Sequence, residues 1–133
     1  MKKNILFHNN KIEVRKSKIH GWGVFAKEII YAEEILEEIP FLIIPMSKYE
    51  SSSIFIDYRF NYPRINSEHQ VMPFGYAGLY NHSNNNNAVW ETDNENELFI
   101  FKSIKQINKD DEILIYYGDT NYWNDGRKGT KVI

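Results

Sequence analysis

Four sets of residues in this chain have the types and spacing to do chemistry: Gly21-Trp22-Gly23, Asn81-His82-Ser83, Tyr116-Tyr117 ahead of Gly118, and Trp123. Glycine has no Cβ, so a Gly-x-Gly step lets the backbone approach a ligand closely; equally, it can turn the chain between two strands. Asparagine, histidine and serine bond their own backbone in turns, and the same polar groups can bond a ligand. A tyrosine hydroxyl, with an ordinary pKa of about 10, orients a reacting group rather than acting as a strong base. Four consecutive asparagines, Asn84 to Asn87, follow the Asn-His-Ser triplet. Such a run normally marks a drifting polar loop, yet apolar, strand-like sequence flanks it on both sides.

Composition narrows the chemistry. The chain has no cysteine, which removes a disulfide framework, a thiolate zinc cluster and a thiol nucleophile. No metal site is expected. A net charge of −2 gives no basic field for nucleic acid. The N-terminal apolar run is only Ile5-Leu6-Phe7, too short for a signal-peptide core, and no window approaches a membrane span. The expectation is a soluble intracellular, cytoplasmic protein, in which the glycosylation-like Asn81-His82-Ser83 is an accidental match. With 133 residues, 42% of them hydrophobic, the chain can bury one core, so a single domain over 1–133 is expected.

The elements that must position these residues are short strands. Lys11 to Arg15 alternates apolar and polar, and a second strand starts at Val24 after the glycine turn. Residues 33–45 read as two short strands parted by Pro40 and closed by Pro45, because proline cannot donate to a ladder. Ser47 with Glu50 predicts a capping box for one short helix. Ile54, Ile56, Tyr58 and Phe60 share one face of a further strand, and residues 63–73 read as a loop. A hairpin is predicted around the Asp-Asn-Glu-Asn turn at 93–96, and a last strand covers "EILIYYG" after the turn at 107–111. Many short strands with little helix predict a mainly β fold of several small sheets. The polar, basic tail 124–133 is expected to fray, leaving a core of about 11–123.

Three segments taken in order resemble the motifs of SET-domain methyltransferases: "HGWGVFAKEIIYAEEILEE", "GYAGLYNHSNNNNA" and "DDEILIYYGDTNYW". The resemblance covers nearly the whole chain and is closest to short single-domain forms without flanking zinc modules. It implies a protein-lysine methyltransferase that uses S-adenosylmethionine and releases S-adenosylhomocysteine. The implied fold is a set of small sheets around a knot-like crossing, where the Asn-His-Ser and closing tyrosine motifs meet.

The resemblance also implies roles. Gly21, Trp22 and Gly23 would let the backbone approach the cofactor's amino-acid end. Asn81 would bond its ammonium or carboxylate, and His82 would address the adenine through its backbone. Tyr117 aligns with the catalytic tyrosine. Tyr58, Trp90, Ile115 and Tyr116 are implied to line the substrate channel. Trp123 would lie against the adenine or over that channel, or else anchor the C-terminus. Methyl transfer to a lysine amine is an in-line displacement that needs orientation and a dry aromatic channel disfavouring the ammonium.

The sequence departs from the family pattern in several places. Gly78 replaces the usual arginine, Asn84 and Asn86 stand at the usual cysteine and proline, and Tyr116 replaces an aspartate. Asn87 matches the motif's final asparagine. Ile115 cannot hold a water beside the amine, so the resemblance implies that more than one methyl can be added, unless Trp90 overrules this by bulk. The implied partner is a basic protein or peptide carrying the target lysine, bound by strand addition along an open edge or in a groove completed by a homodimer. The competing reading is a catalytically degenerate SET fold that binds a peptide or protein.

Overall fold

The computed structural model describes residues 3–45, 60–62 and 69–116. Among the described residues, ten strands form three small sheets, accompanied by a short 3-10 turn at Ala77–Leu79. The expected short helix at Ser47, the part of the expected strand from Ile54 to Tyr58, Tyr117 and Trp123 lie outside the described residues, while Phe60 of that strand falls in a described one.

The first sheet carries the candidate chemistry. β1 (Ile12–Lys16) pairs antiparallel with β2 (Trp22–Ala26) across the glycine turn. The second strand thus begins at Trp22, two residues before the expected Val24, because Lys16 and Trp22 are still in register. Further along the chain, β7 (Asn81–His82) is only two residues long, and β10 spans Glu112–Ile115. β10 lies between β2 and β7, antiparallel to the first and parallel to the second.

The second sheet, in the order β3-β9-β8, is the hydrophobic heart. β3 (Ile35–Ile39) pairs with β9 (Leu98–Ser103), which pairs with β8 (Ala88–Asp93) as the expected hairpin. Its turn closes as the asparagine-rich sequence predicts: the Asn96 amide N–H and side-chain amide both donate to the Asp93 carboxylate, and Glu97 takes a left-handed φ of 57°. These bonds hold the Asp93 carboxyl below its usual range. Phe99 and Phe101 are fully buried, Tyr80 stacks on Phe101 at 4.6 Å, and Phe41 meets Phe99 edge-on at 5.5 Å. Burying an aromatic or large aliphatic side chain contributes about 1.5–3 kcal/mol, so this cluster is a main source of stability.

The third sheet corrects the end of the loop expected at 63–73, where 69–73 form a strand; residues 63–68 lie outside the described residues. β4 (Phe41–Pro45) and β5 (Phe60–Tyr62) flank β6 (His69–Pro73), whose backbone pairs on both sides. Histidine, glutamine and proline gave that segment little strand character; a place between two partners supplies what propensity does not. Pro73 sits at the end of β6, where a missing N–H is tolerated.

The N-terminal segment adds a partner to the edge of β3. His8 bridges to Glu37, the Asn9 N–H donates to the Leu36 carbonyl at 2.9 Å, and Glu38 N–H donates to Phe7 carbonyl at 2.9 Å. At the end of β9, the fully buried Ser103 fastens the turn before β3: its hydroxyl donates to Tyr31 carbonyl at 2.6 Å and accepts from Glu34 N–H at 3.0 Å. The Ser103→Ala variant removes both partners and is expected to lose about 1–2 kcal/mol in urea unfolding, with the same m-value.

Candidate active site

The sheet brings the three motif segments together. β10 takes Val24 as the partner of Ile113 on one side and Asn81 as the partner of Leu114 on the other. Val24, Ile113 and Ile115 are fully buried and pin the sheet to the core, so the polar residues between them are fixed in place.

Asn81 is at the centre. Its side chain is buried, and its amide nitrogen faces three oxygens: the Glu112 carboxylate at 2.6 Å, the His20 carbonyl at 3.1 Å and the Trp22 carbonyl at 3.4 Å. The other Glu112 oxygen accepts from the Ser17 hydroxyl at 2.7 Å. That hydroxyl in turn accepts from the Ile19 and His20 N–H groups. The glycine turn, Asn81 and Glu112 therefore form one network built from three distant parts of the chain.

Gly23 shows why a glycine belongs here. A Cβ on Gly23 would run into the Glu112 carboxylate and lie 3.1 Å from the Asn81 amide nitrogen. Among the described residues, the space left by the missing side chain is filled by these two groups. Gly21 takes a positive φ of 51°, a conformation that glycine adopts without steric cost. Trp22 is half-buried, with the Lys16 ammonium 4.6 Å from its ring centroid. The His20 Nε2 is buried without a hydrogen-bond partner among the described residues.

The asparagine run is fastened rather than adrift. Asn84 pairs with His82 Nε2 at 3.1 Å, Asn85 N–H donates to the Ser83 hydroxyl, and the Asn86 side chain donates to Ala88 carbonyl. The Asn87 side chain mimics a strand: it donates to Glu112 carbonyl at 2.9 Å and accepts from Leu114 N–H at 2.8 Å. Its own N–H donates to Leu114 carbonyl at 3.1 Å. The lack of the usual cysteine and proline is thus offset by side-chain hydrogen bonds.

The other candidate residues divide. His82 is half-buried, its ring 5.2 Å from that of Tyr116, which is 41% exposed. Ile115 is fully buried in the core, and Trp90 packs against that same core, 5.2 Å from Phe99. Glu112 and Ser17 carry no site role in the sequence reading. Glu112 is the first residue of β10 and follows two aspartates, so the sequence gives it the look of an acidic turn and no distinct signal.

The arrangement offers a cation-favouring cradle: two backbone carbonyls and a carboxylate gathered around a buried amide. Among the described residues no group of three or more His, Asp or Glu could hold a metal ion. No helix among them is long and apolar enough to cross a membrane.

Comparison with known proteins identifies the family. A family model described as the SET domain matches residues 21–118, a span that takes in the first segment after His20, the whole of the second, and the third as far as Gly118. The chain is 30% identical over 115 residues to a Schizosaccharomyces pombe histone-lysine N-methyltransferase specific for H3 lysine-37, a match covering 86% of this chain and 78% of that protein. Among solved structures, a candidate histone methyltransferase of Plasmodium falciparum superposes with a TM-score of 0.71 at 35% identity, covering 86% of this chain and 98% of the other. The family motifs fall on the strands that meet around Asn81, and the chain belongs to the SET-domain family as a protein-lysine methyltransferase.

Proposed function

We propose that the chain transfers a methyl group from S-adenosylmethionine to a lysine ε-amine of a basic protein, and that a histone is its substrate class. The observation that carries the cofactor assignment is the cradle at Asn81. An amino-acid arm presents an ammonium and a carboxylate side by side, and the residues present fit it. The His20 and Trp22 carbonyls and the Glu112 carboxylate gather electron-rich oxygens around Asn81, a setting that favours a cationic group beside it, and the missing Cβ of Gly23 lets Glu112 and Asn81 close on the backbone there. When bound, the cofactor supplies an electrophilic methyl on a sulfonium.

The chain's own part is to bind and orient. The strand pairing of β2, β7 and β10 holds the cradle rigid, so orientation is fixed before the substrate arrives. Tyr117 follows β10 directly after Tyr116; its hydroxyl is assigned, from the motif order, to orienting the amine. The histone class rests on two relatives: one is specific for H3 lysine-37 and the other is a candidate histone methyltransferase.

Calorimetric titration with S-adenosylhomocysteine, with Asn81→Ala beside the wild type, tests the cofactor half. The expected result is saturable binding that the variant weakens by at least about tenfold, since it deletes a buried polar partner. Wild-type protein that takes up no cofactor, and transfers no methyl to core histones by intact-mass analysis, would overturn the proposal.

A further inference from the structure

We propose that the outer edge of β1 is an interface between two copies of this chain, paired antiparallel about a two-fold axis at Val14. The interface does not depend on the cofactor reading above.

β1 ends the order β1-β2-β10-β7, and among the described residues no strand lies on its other side. Two hydrogen bonds that bracket the β1-β2 ladder show which backbone groups look outward. Ser17 N–H donates to Gly21 carbonyl at 2.7 Å and Lys27 N–H to Lys11 carbonyl at 2.6 Å, in the same register as the strand pairs between them. Antiparallel partners alternate between bonded and non-bonded pairs, so Glu13 and Arg15 bond β2, while the N–H and C=O groups of Ile12, Val14 and Lys16 point away from it. Such a row is a template for another strand, and edges are commonly blunted by proline, lysine or a bulge. β1 has no proline and an unbroken register, and its one lysine, Lys16, stands at the end.

The sequence Ile12-Glu13-Val14-Arg15-Lys16 is complementary to itself in one register. With Val14 opposite Val14 of the second copy, Ile12 lies opposite Lys16, so every outward-facing residue meets an outward-facing one. Glu13 then stands opposite Arg15, twice by symmetry, in the non-bonded pairs where side chains come closest. Sliding one copy by one residue sets outward groups against inward ones and loses the ladder. Sliding it by two sets Glu13 against Glu13 or Arg15 against Arg15 and shortens the ladder as well. Both charged side chains keep open surface for this contact: Arg15 is 32% exposed and Glu13 40%. The Arg15 guanidinium lies 5.4 Å from the Phe25 ring centroid and donates to Glu13 and Asp110 of its own chain, which leaves further N–H donors for Glu13 of the second copy. The contact uses up the β1 edge of both copies and closes at two. One short edge makes a small interface, so the dimer is reversible and gains population with concentration.

The test is sedimentation over a concentration series on the whole chain as wild type, Glu13→Arg, Arg15→Glu and an equimolar mixture of the two variants, with thermal unfolding recorded for each. Wild type is expected to pass from monomer to dimer as its concentration rises towards about 1 mM. Each variant alone sets like charges across the axis and is expected to associate at least about tenfold more weakly. The mixture sets opposite charges across the axis again and is expected to recover wild-type association to within about threefold, a rescue that a merely misfolded variant does not give. In this cysteine-free chain the register is read by oxidation. Val14→Cys places the two Cα atoms about 5.5 Å apart, within disulfide reach, whereas Lys16→Cys sets them several residues apart along the strands. Wild type that stays monomeric throughout would overturn the proposal. So would a dimer that both charge variants leave intact, a mixture that associates no better than either variant alone, or capture through Lys16→Cys as readily as through Val14→Cys, since each of these places the contact elsewhere.

Discussion

Replacing Asn87 by alanine lowers the stability of the protein by about 2–4 kcal/mol, a loss read from urea unfolding monitored by tryptophan fluorescence. The side chain donates to the Glu112 carbonyl and accepts from the Leu114 N–H, acting as a third neighbour for the central strand of the site. Alanine leaves both backbone groups without that partner, and an unmet buried backbone group costs about 1–3 kcal/mol. Function suffers along with stability, because β10 carries Glu112 as well as Ile113 and Ile115 of the core. Methyl transfer to a protein lysine is expected to fall in parallel. The Asn87→Asp variant keeps the acceptor but faces the Glu112 carbonyl with a second oxygen, so it recovers only part of the loss. Full stability in Asn87→Ala would mean that the β10 backbone finds other partners and that the asparagine run is dispensable.

What could be read in the sequence depended on how local the cause was. The hairpin of β8 and β9 announces itself because both its alternation and its Asp-Asn-Glu-Asn turn act over a few residues. Pro40 separates two strands for an equally local reason. β6 was hidden because its strand state comes from two flanking partners rather than from its own residues. β7 is too short to show a period at all. The glycine turn and Asn81 were legible through their motif order, and the structure places them in one network. The carboxylate that joins them was not, since Glu112 stands beside Asp110 and Asp111 in a run that looks like a solvated acidic turn. Only the return of β10 between β2 and β7 turns it inward.

Glu37 was equally hidden, and it carries the other large prediction. In the sequence it belongs to a pair of acids with an exposed look, yet it is 1% exposed. One oxygen accepts from the Tyr80 hydroxyl at 2.6 Å and the other from Tyr76 N–H at 3.0 Å, with His8 Nδ1 3.7 Å away. Gly75 crosses directly over it with a φ of 63°, where a Cβ would lie 2.7 Å from the carboxylate. Burial raises the Glu37 pKa above the usual carboxylate value, and the Tyr80 and Tyr76 donors and His8 oppose that shift without cancelling it. Tyr80 is pushed well above the ordinary phenol value by its own burial and by the neighbouring carboxylate, so it remains a donor. The Glu37→Ala variant strips Tyr80 and Tyr76 of this acceptor and opens a void beneath Gly75, with an expected loss of about 3–4 kcal/mol.

The pH dependence follows from the direction of the shift. A carboxyl group with a raised pKa in the folded state binds its proton more tightly there than in the unfolded chain. Between the unfolded and the folded value the native state therefore holds more protons, and its stability falls as pH rises. Below that window Glu37 is protonated in both states, and the contribution is constant. The Glu37→Gln variant cannot titrate; its amide can accept from Tyr76 and donate to Tyr80. The difference in unfolding free energy between Glu37→Gln and wild type is therefore expected to move in the variant's favour as pH rises from the acid range towards neutrality. A difference that stays flat with pH would show that the Tyr80 and Tyr76 donors fully offset the burial of Glu37. One that moves towards wild type would show that they outweigh it.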